Sequence, residues 1–147
     1  MGAALSIAET GHLVLATMHT NTAAGAITRM VDAFPPDKQE VIRINMSMSL
    51  LAVVAQQLIP TNDGSRILAC EVMVATQAIR ALIRENNVHQ LDNYIKSGGK
   101  DGMILMDDSL MALFQKGIIS DDNLIRHAIN VTQMEQNMGS VRKQPNI

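Results

Sequence analysis

Residues 10–22 read TGHLVLATMHTNT, and they decide the fold class because the short apolar run Leu13–Met18 lies between glycine-containing and polar ends. A short, nearly continuous apolar run is typical of a strand that is buried on both faces, as in a parallel sheet. We therefore expect an α/β fold that contains this strand.

The chain on either side of this run predicts helices. Ala3–Glu9 has the pattern of a helix end that Gly11 closes, and Thr22 can cap the start of the next helix. That helix ends before two prolines, because the residue before a proline disfavours helical conformation. Its apolar stripe consists of Ile27, Met30, Val31 and Phe34.

Further along, the pattern predicts one more helix, a β-hairpin and then a helical region. Val41, Ile44, Met48 and Leu51 recur at helical spacing after about Asp37. The two strands of the hairpin, with the turn-forming residues 61–65 between them, are Val53–Ile59 and Ile67–Val74. Thr76 is then expected to cap a helix over 76–85, and further helices are expected over 88–96, 108–116 and 121–131. We accordingly divide the chain into a sheet-containing part (1–75), a helical part (76–131) and a flexible tail (132–147).

Composition excludes several classes of protein. The formal net charge of 147 residues is −2, whereas nucleic-acid-binding proteins usually show a basic balance. The single Cys70 excludes an internal disulfide framework and a multi-cysteine zinc site. No apolar run reaches the roughly 20 residues of a membrane helix, and no signal peptide is recognisable. A cytoplasmic protein without direct membrane insertion is the expectation.

Two histidines flank the predicted strand, His12 at its start and His19 at its end. Seven residues of strand would separate them by roughly 20 Å and point them to opposite faces, so we do not expect them to share a metal ion. Ligands of open α/β sheets bind outside the carboxyl ends of the strands, which places His19 and Thr20 at a site-like position. A purely structural role for both histidines stays open.

The second candidate feature is the segment AIRALIRE, residues 78–85. Ile79, Leu82 and Ile83 form one apolar face, and Arg80 and Arg84 lie one turn apart on the other. We expect the apolar face to anchor the helix and both guanidinium groups to be displayed, although an ordinary solvated helix face has the same pattern.

A phosphate-binding P-loop is not encoded in these residues, because the pattern Gly-x-x-x-x-Gly-Lys-Ser/Thr does not occur. Residues 98–102, GGKDG, are rich in glycine, but they lack the preceding strand and the following Ser or Thr. We predict an ordinary loop there.

Several of these motifs together resemble a known family. Residues 10–22 resemble the His box of secretion and pilus ATPases, and Ile27–Pro36 is similar to the segment that follows that box. Ala78–Glu85 resembles the helix motif of type IV pilus retraction motors, the PilT family. Secretion and pilus-extension ATPases usually carry a four-cysteine zinc subdomain, and the single cysteine here therefore favours the retraction branch.

This resemblance implies the C-terminal part of a RecA-like P-loop ATPase core, followed by a helical C-terminal region. In the full-length hexamer, ATP and Mg²⁺ would be bound, with His19 and Thr20 near the γ-phosphate and His12 as a further catalytic candidate. The helix with Arg80, Leu82, Ile83, Arg84 and Glu85 would couple hydrolysis to pilus retraction and twitching motility. The implied location is the cytoplasmic side of the inner membrane, at the pilus platform protein.

For the isolated chain we expect no bound cofactor or metal, and whether it is itself an enzyme stays open. A type II secretion or pilus-assembly ATPase and a non-catalytic interaction module remain alternatives. A helix-turn-helix over residues 108–131 is disfavoured, because the second helix begins with two aspartates where DNA-reading helices meet bases and phosphates.

Overall fold

The computed structural model describes residues 2–142, which form helices and one two-stranded sheet. The helices are α1 (Gly2–Glu9), α2 (Ala23–Asp32), α3 (Gln39–Ser49), α4 (Gln77–Arg84), α5 (Leu91–Ser97), α6 (Met106–Gln115), α7 (Asp121–His127) and α8 (Val131–Arg142). The strands are β1 (Ala52–Pro60) and β2 (Arg66–Val74), and short 3₁₀ turns occupy Pro36–Lys38, Val88–Gln90 and Gly99–Asp101.

The chain divides into two compact units. The first contains the described residues up to Ala55 together with Glu71–Ile104, and the second contains Gln56–Cys70 together with the described residues from Leu105 onward. These units follow different limits from the predicted parts 1–75 and 76–131, whose boundaries stay a prediction.

Two predicted helix caps in the first unit are confirmed. The Thr22 side chain accepts a hydrogen bond from the Gly25 amide at the start of α2, and Thr76 does the same for the Ile79 amide of α4. A side-chain oxygen at this position satisfies an amide that has no partner within the helix. The first turn of each helix is therefore specified locally.

The predicted β-hairpin is also confirmed, with β1 and β2 joined through residues 61–65. Asp63 organises the loop, because its carboxylate accepts hydrogen bonds from the Thr61 hydroxyl and from the Ser65 hydroxyl and amide. These donors, Thr61 first, hold the pKa of Asp63 at about 2, below its usual value of 3.8. Gly64 turns the chain with φ +84, a conformation that favours glycine.

The predicted buried strand at Leu13–Met18 is wrong for this chain. Residues 12–20 form neither helix nor strand, and Leu13 and Leu15 are 76% and 91% exposed. A strand requires neighbouring backbone to pair with its amides and carbonyls. In the described part of the chain the two strands pair with each other, and no backbone hydrogen bond joins residues 12–21 to other residues.

Helix α3 forms as predicted, but its apolar stripe faces outward. Val41, Met48 and the following Leu51 are more than half exposed, whereas Met46 and Ser47 are buried. Helical spacing therefore predicted the helix correctly. The face of α3 that is buried in the first unit is not the face that carries the predicted apolar stripe.

In the second unit, the prediction of a flexible tail from residue 132 is corrected. Residues up to Arg142 continue α8, and Met134 and Met138 are buried. Asp107 holds the approach to this helix, because its carboxylate accepts the amides of Ile129 and Asn130 at 2.7 and 2.9 Å. Residues 143–147 of the predicted tail lie outside the described residues.

No helix within residues 2–142 has the length and apolar character that crossing a membrane requires.

Candidate functional site

The loop before α2 carries the predicted ligand-side residues. His19 is exposed and Thr20 is half-buried, and the loop ends at the Thr22 cap, whose Oγ1 lies 3.1 Å from the Gly25 amide. The loop is therefore fixed at the point where it enters α2. Because no strand forms at Leu13–Met18, the strand end from which we inferred a ligand-side position for His19 is not formed in this chain.

His12 lies in a different setting. It is exposed, and its Nδ1 atom lies 2.9 Å from the hydroxyl of Thr10, which itself donates to the carbonyl of Ile7 at the end of α1. Among residues 2–142, no group of three His, Cys, Asp or Glu side chains is arranged to hold a metal ion. The catalytic roles predicted for His12 and His19 stay predictions.

A second anchor holds the start of α2, and sequence reasoning missed it. The carboxylate of Glu71 on β2 accepts a hydrogen bond from the Ala23 amide at 2.6 Å, and Glu71 is 2% exposed. A carboxylate is favoured at a helix N-terminus, where free amides and the helix dipole carry positive partial charge. The available signal was a single acidic residue inside the apolar strand ILACEVMV, residues 67–74.

The two arginines of α4 are not equivalent, and the prediction that both are displayed is wrong for Arg80. Its Nη1 atom donates to the carbonyl oxygens of Ser47 and Met48, at 2.6 and 2.8 Å, at the C-terminal end of α3. A guanidinium group is well placed there, because the last carbonyls of a helix lack partners within it. Arg84 is exposed, as predicted.

The apolar face of α4 is buried as predicted. Ile79, Leu82 and Ile83 are at most 7% exposed, and α4 packs against α3 and α5. Glu85 follows the helix and is exposed, and its carboxylate accepts a hydrogen bond from the side-chain Nδ2 of Asn87 at 3.4 Å. The helix therefore presents Arg84 and Glu85 outward from an anchored body.

The glycine-rich segment 98–102 is a turn between a helix and an isolated β-bridge. It follows α5 directly, includes the 3₁₀ turn Gly99–Asp101 and ends at Gly102 with φ +79. A helix and not a strand directly precedes it, and no α-helix begins within it, so it lacks the strand–loop–helix setting of a P-loop. The prediction of an ordinary loop is confirmed.

Among protein-family models, "Type II/IV secretion system protein" matches residues 1–124 of this chain. A twitching motility protein of Neisseria gonorrhoeae is 42% identical over 135 residues, which are 91% of this chain and 36% of that protein. The type IV pilus retraction ATPase PilT of Pseudomonas aeruginosa is 47% identical over 120 residues, which are 82% of this chain and 35% of the relative.

Among solved structures, the pilus retraction motor PilT with bound ADP superimposes with a TM-score of 0.83 at 37% sequence identity. The match covers 92% of this chain and 38% of that one. It confirms the predicted α/β ATPase fold class. The chain thus spans little more than a third of the length of the proteins that it resembles.

Proposed function

This chain belongs to the family of type II/IV secretion system proteins, and we propose that it works as part of a motor ATPase that powers type IV pilus retraction. The observation that carries the proposal is the similarity to retraction and twitching-motility proteins over 82–92% of the chain, in sequence and in fold. The active unit is the full-length motor, by which we mean a longer polypeptide that contains this chain.

Nucleotide binding in this proposal belongs to the full-length motor. The described residues 2–142 do not form a complete nucleotide site, because the P-loop pattern does not occur in the sequence and the 98–102 turn is no phosphate cradle. ATP and Mg²⁺ would be held by a P-loop and an acidic residue elsewhere in the motor. From this chain, His19 would contribute a donor near the γ-phosphate and Thr20 a hydroxyl beside it.

Helix α4 is the proposed coupling element. Leu82 and Ile83 anchor it, Arg80 ties it to the end of α3, and Arg84 with Glu85 faces outward. An exposed arginine can grip a partner carboxylate with two parallel hydrogen bonds. We propose that Arg84 makes such a contact when the motor acts on the pilus platform protein at the inner membrane, with six copies of the motor forming a cytoplasmic ring.

The test uses a chimera in which this chain replaces the matching segment of the Pseudomonas aeruginosa retraction ATPase, expressed in a strain that lacks its own copy. The unsubstituted chimera is expected to restore twitching motility and to release phosphate from ATP as a purified hexamer. Loss of both activities in a folded chimera would contradict the proposed function.

The role of Arg84 is tested in the same chimera. Arg84→Ala should abolish motility and keep most of the phosphate-release rate, because the side chain contacts the partner and not the nucleotide. Arg84→Lys should restore little motility, since a lysine cannot make two parallel hydrogen bonds. Arg66→Ala is the matched control, because Arg66 is also an exposed arginine. Normal motility with Arg84→Ala would show that Arg84 is an ordinary solvated surface residue without a role in coupling.

A further inference from the structure

One segment of the first unit contacts the ends of two helices, α2 and α3. It does so through the side chain of Glu71, which is 2% exposed, and through the side chain of Arg80. Glu71 binds the amino end of α2, and the carbonyl of Ser47, at the carboxyl end of α3, accepts from Arg80. Glu71 and Arg80 belong to a single stretch of ten residues that runs from β2 into α4.

The charges on this stretch match the helix ends that they touch. A carboxylate meets the positive end of α2, and a guanidinium group meets the negative end of α3. Burial of a carboxylate is unfavourable unless it is hydrogen-bonded, and the bond from the Ala23 amide offsets part of this cost for Glu71. The stretch is also fixed between these points, because the Ala75 amide donates to the Leu51 carbonyl and Thr76 caps α4.

We infer that Glu71 is a positioning residue that ties the loop carrying His19 and Thr20 to the strand that leads into α4. This inference rests on the proposed function, in which the loop serves hydrolysis and α4 serves coupling. Ala23 is four residues after His19, and Glu71 is five residues before the α4 cap. A displacement of the loop is therefore passed to α4 through the hydrogen bond between the Ala23 amide and Glu71 and through a short, fixed piece of chain.

Two substitutions distinguish a positioning role of Glu71 from a purely electrostatic role, because the two roles predict opposite orders of severity. Glu71→Gln keeps an acceptor oxygen at the same reach and removes the charge. Glu71→Asp keeps the charge and withdraws it by one methylene, about 1.5 Å. If Glu71 positions the loop, the glutamine variant is the milder one. If Glu71 only supplies negative charge to the helix end, the aspartate variant is the milder one.

The kinetic test is made in the chimera described above. Glu71→Asp should lower kcat about tenfold or more and leave KM for ATP nearly unchanged, because misplacement of a group near the reacting atoms slows the chemical step. Glu71→Gln should lose a smaller factor. Glu40→Gln, an exposed carboxylate on α3, is the matched control and should behave as the unsubstituted protein. An aspartate variant as active as the unsubstituted chimera overturns the inference.

A second measurement uses the 147-residue chain and does not depend on its being part of a motor. Amide hydrogen exchange at Ala23 should accelerate about tenfold or more in Glu71→Asp, the change expected when a charge-assisted hydrogen bond is lost, and less in Glu71→Gln. Unchanged exchange at Ala23 in both variants overturns the inference. A chimera that is inactive without substitutions counts against the proposed function, and the amide exchange still decides whether Glu71 holds the loop.

Discussion

Residues 13–18 and the apolar face of helix α4 were both expected to be buried. In α4, Ile79 and Ile83 are fully buried, whereas Leu13 and Leu15 in the other segment are largely exposed. The difference lies in what each element needs. A helix pairs its own backbone groups, but a strand needs neighbouring strands.

An apolar sequence pattern indicates that a segment can be buried. Whether the segment is buried depends on the neighbouring elements that are present to cover it. The partners of α4 are α3 and α5, which this chain contains. Within residues 2–142, no strand pairs with residues 13–18. Backbone amides and carbonyls that lack a partner strand can pair with another chain.

The largest expected effect separates the two segments by their contribution to stability. Ile83→Ala removes a fully buried side chain from α4 and should lower the free energy of unfolding by about 2–5 kcal/mol. Leu15→Ala changes a side chain that is 91% exposed and should stay within about 0.5 kcal/mol. Urea denaturation of the 147-residue chain measures both. A loss for Leu15→Ala that matches the loss for Ile83→Ala would show that residues 13–18 are packed in solution.

The second prediction asks whether the exposed segment becomes a site in the full-length motor. His19→Ala should reduce ATP hydrolysis by up to hundreds-fold, the range for removal of one charge-stabilising group. His12→Ala should have a smaller effect, because His12 is at the other end of the segment and contacts Thr10. Phosphate release by the purified chimera measures both. Equal losses would contradict a special position for His19.

Local features of the fold were predictable from sequence because their causes are local. Thr22 and Thr76 each cap an amide three residues away, and the hairpin turn has its turn-forming residues together at 61–65. The family resemblance was predictable for a related reason, because AIRALIRE and the His-box segment are each an unbroken stretch of sequence. The comparisons confirm that resemblance.

Features that depend on distant residues were not predictable. Glu71 and Ala23 are 48 positions apart, and Arg80 and Ser47 are 33 positions apart. Helical spacing places Arg80 and Arg84 on one face, but it does not say that the end of α3 lies beside the first of them. The exposure of the apolar stripe of α3 was unpredictable for the same reason, because helical periodicity does not show which face of a helix its neighbours cover.

The third prediction compares these two arginines within α4. Arg80→Ala removes two hydrogen bonds to carbonyls at the end of α3 and should lower the free energy of unfolding by about 1–3 kcal/mol. Arg84→Ala, one turn further along the same helix, should change it by less than about 0.5 kcal/mol. Thermal or urea unfolding of the two variants decides the question. Equal effects would show that Arg80 is as free in solution as Arg84.

The smallest expected effect concerns Asp63, which is exposed and whose carboxylate accepts hydrogen bonds from two residues of its own loop, Thr61 and Ser65. Its folded-state pKa of about 2 is below the usual 3.8, so its contribution to stability is complete above about pH 4 and is lost as the pH falls towards 2. Thr61→Val removes the largest cause and should raise the pKa towards its usual value. NMR titration of the Asp63 carboxyl carbon in both proteins measures the shift. A pKa near 3.8 in the unsubstituted chain would show that this loop, like residues 13–18, is not held in solution by its own chain.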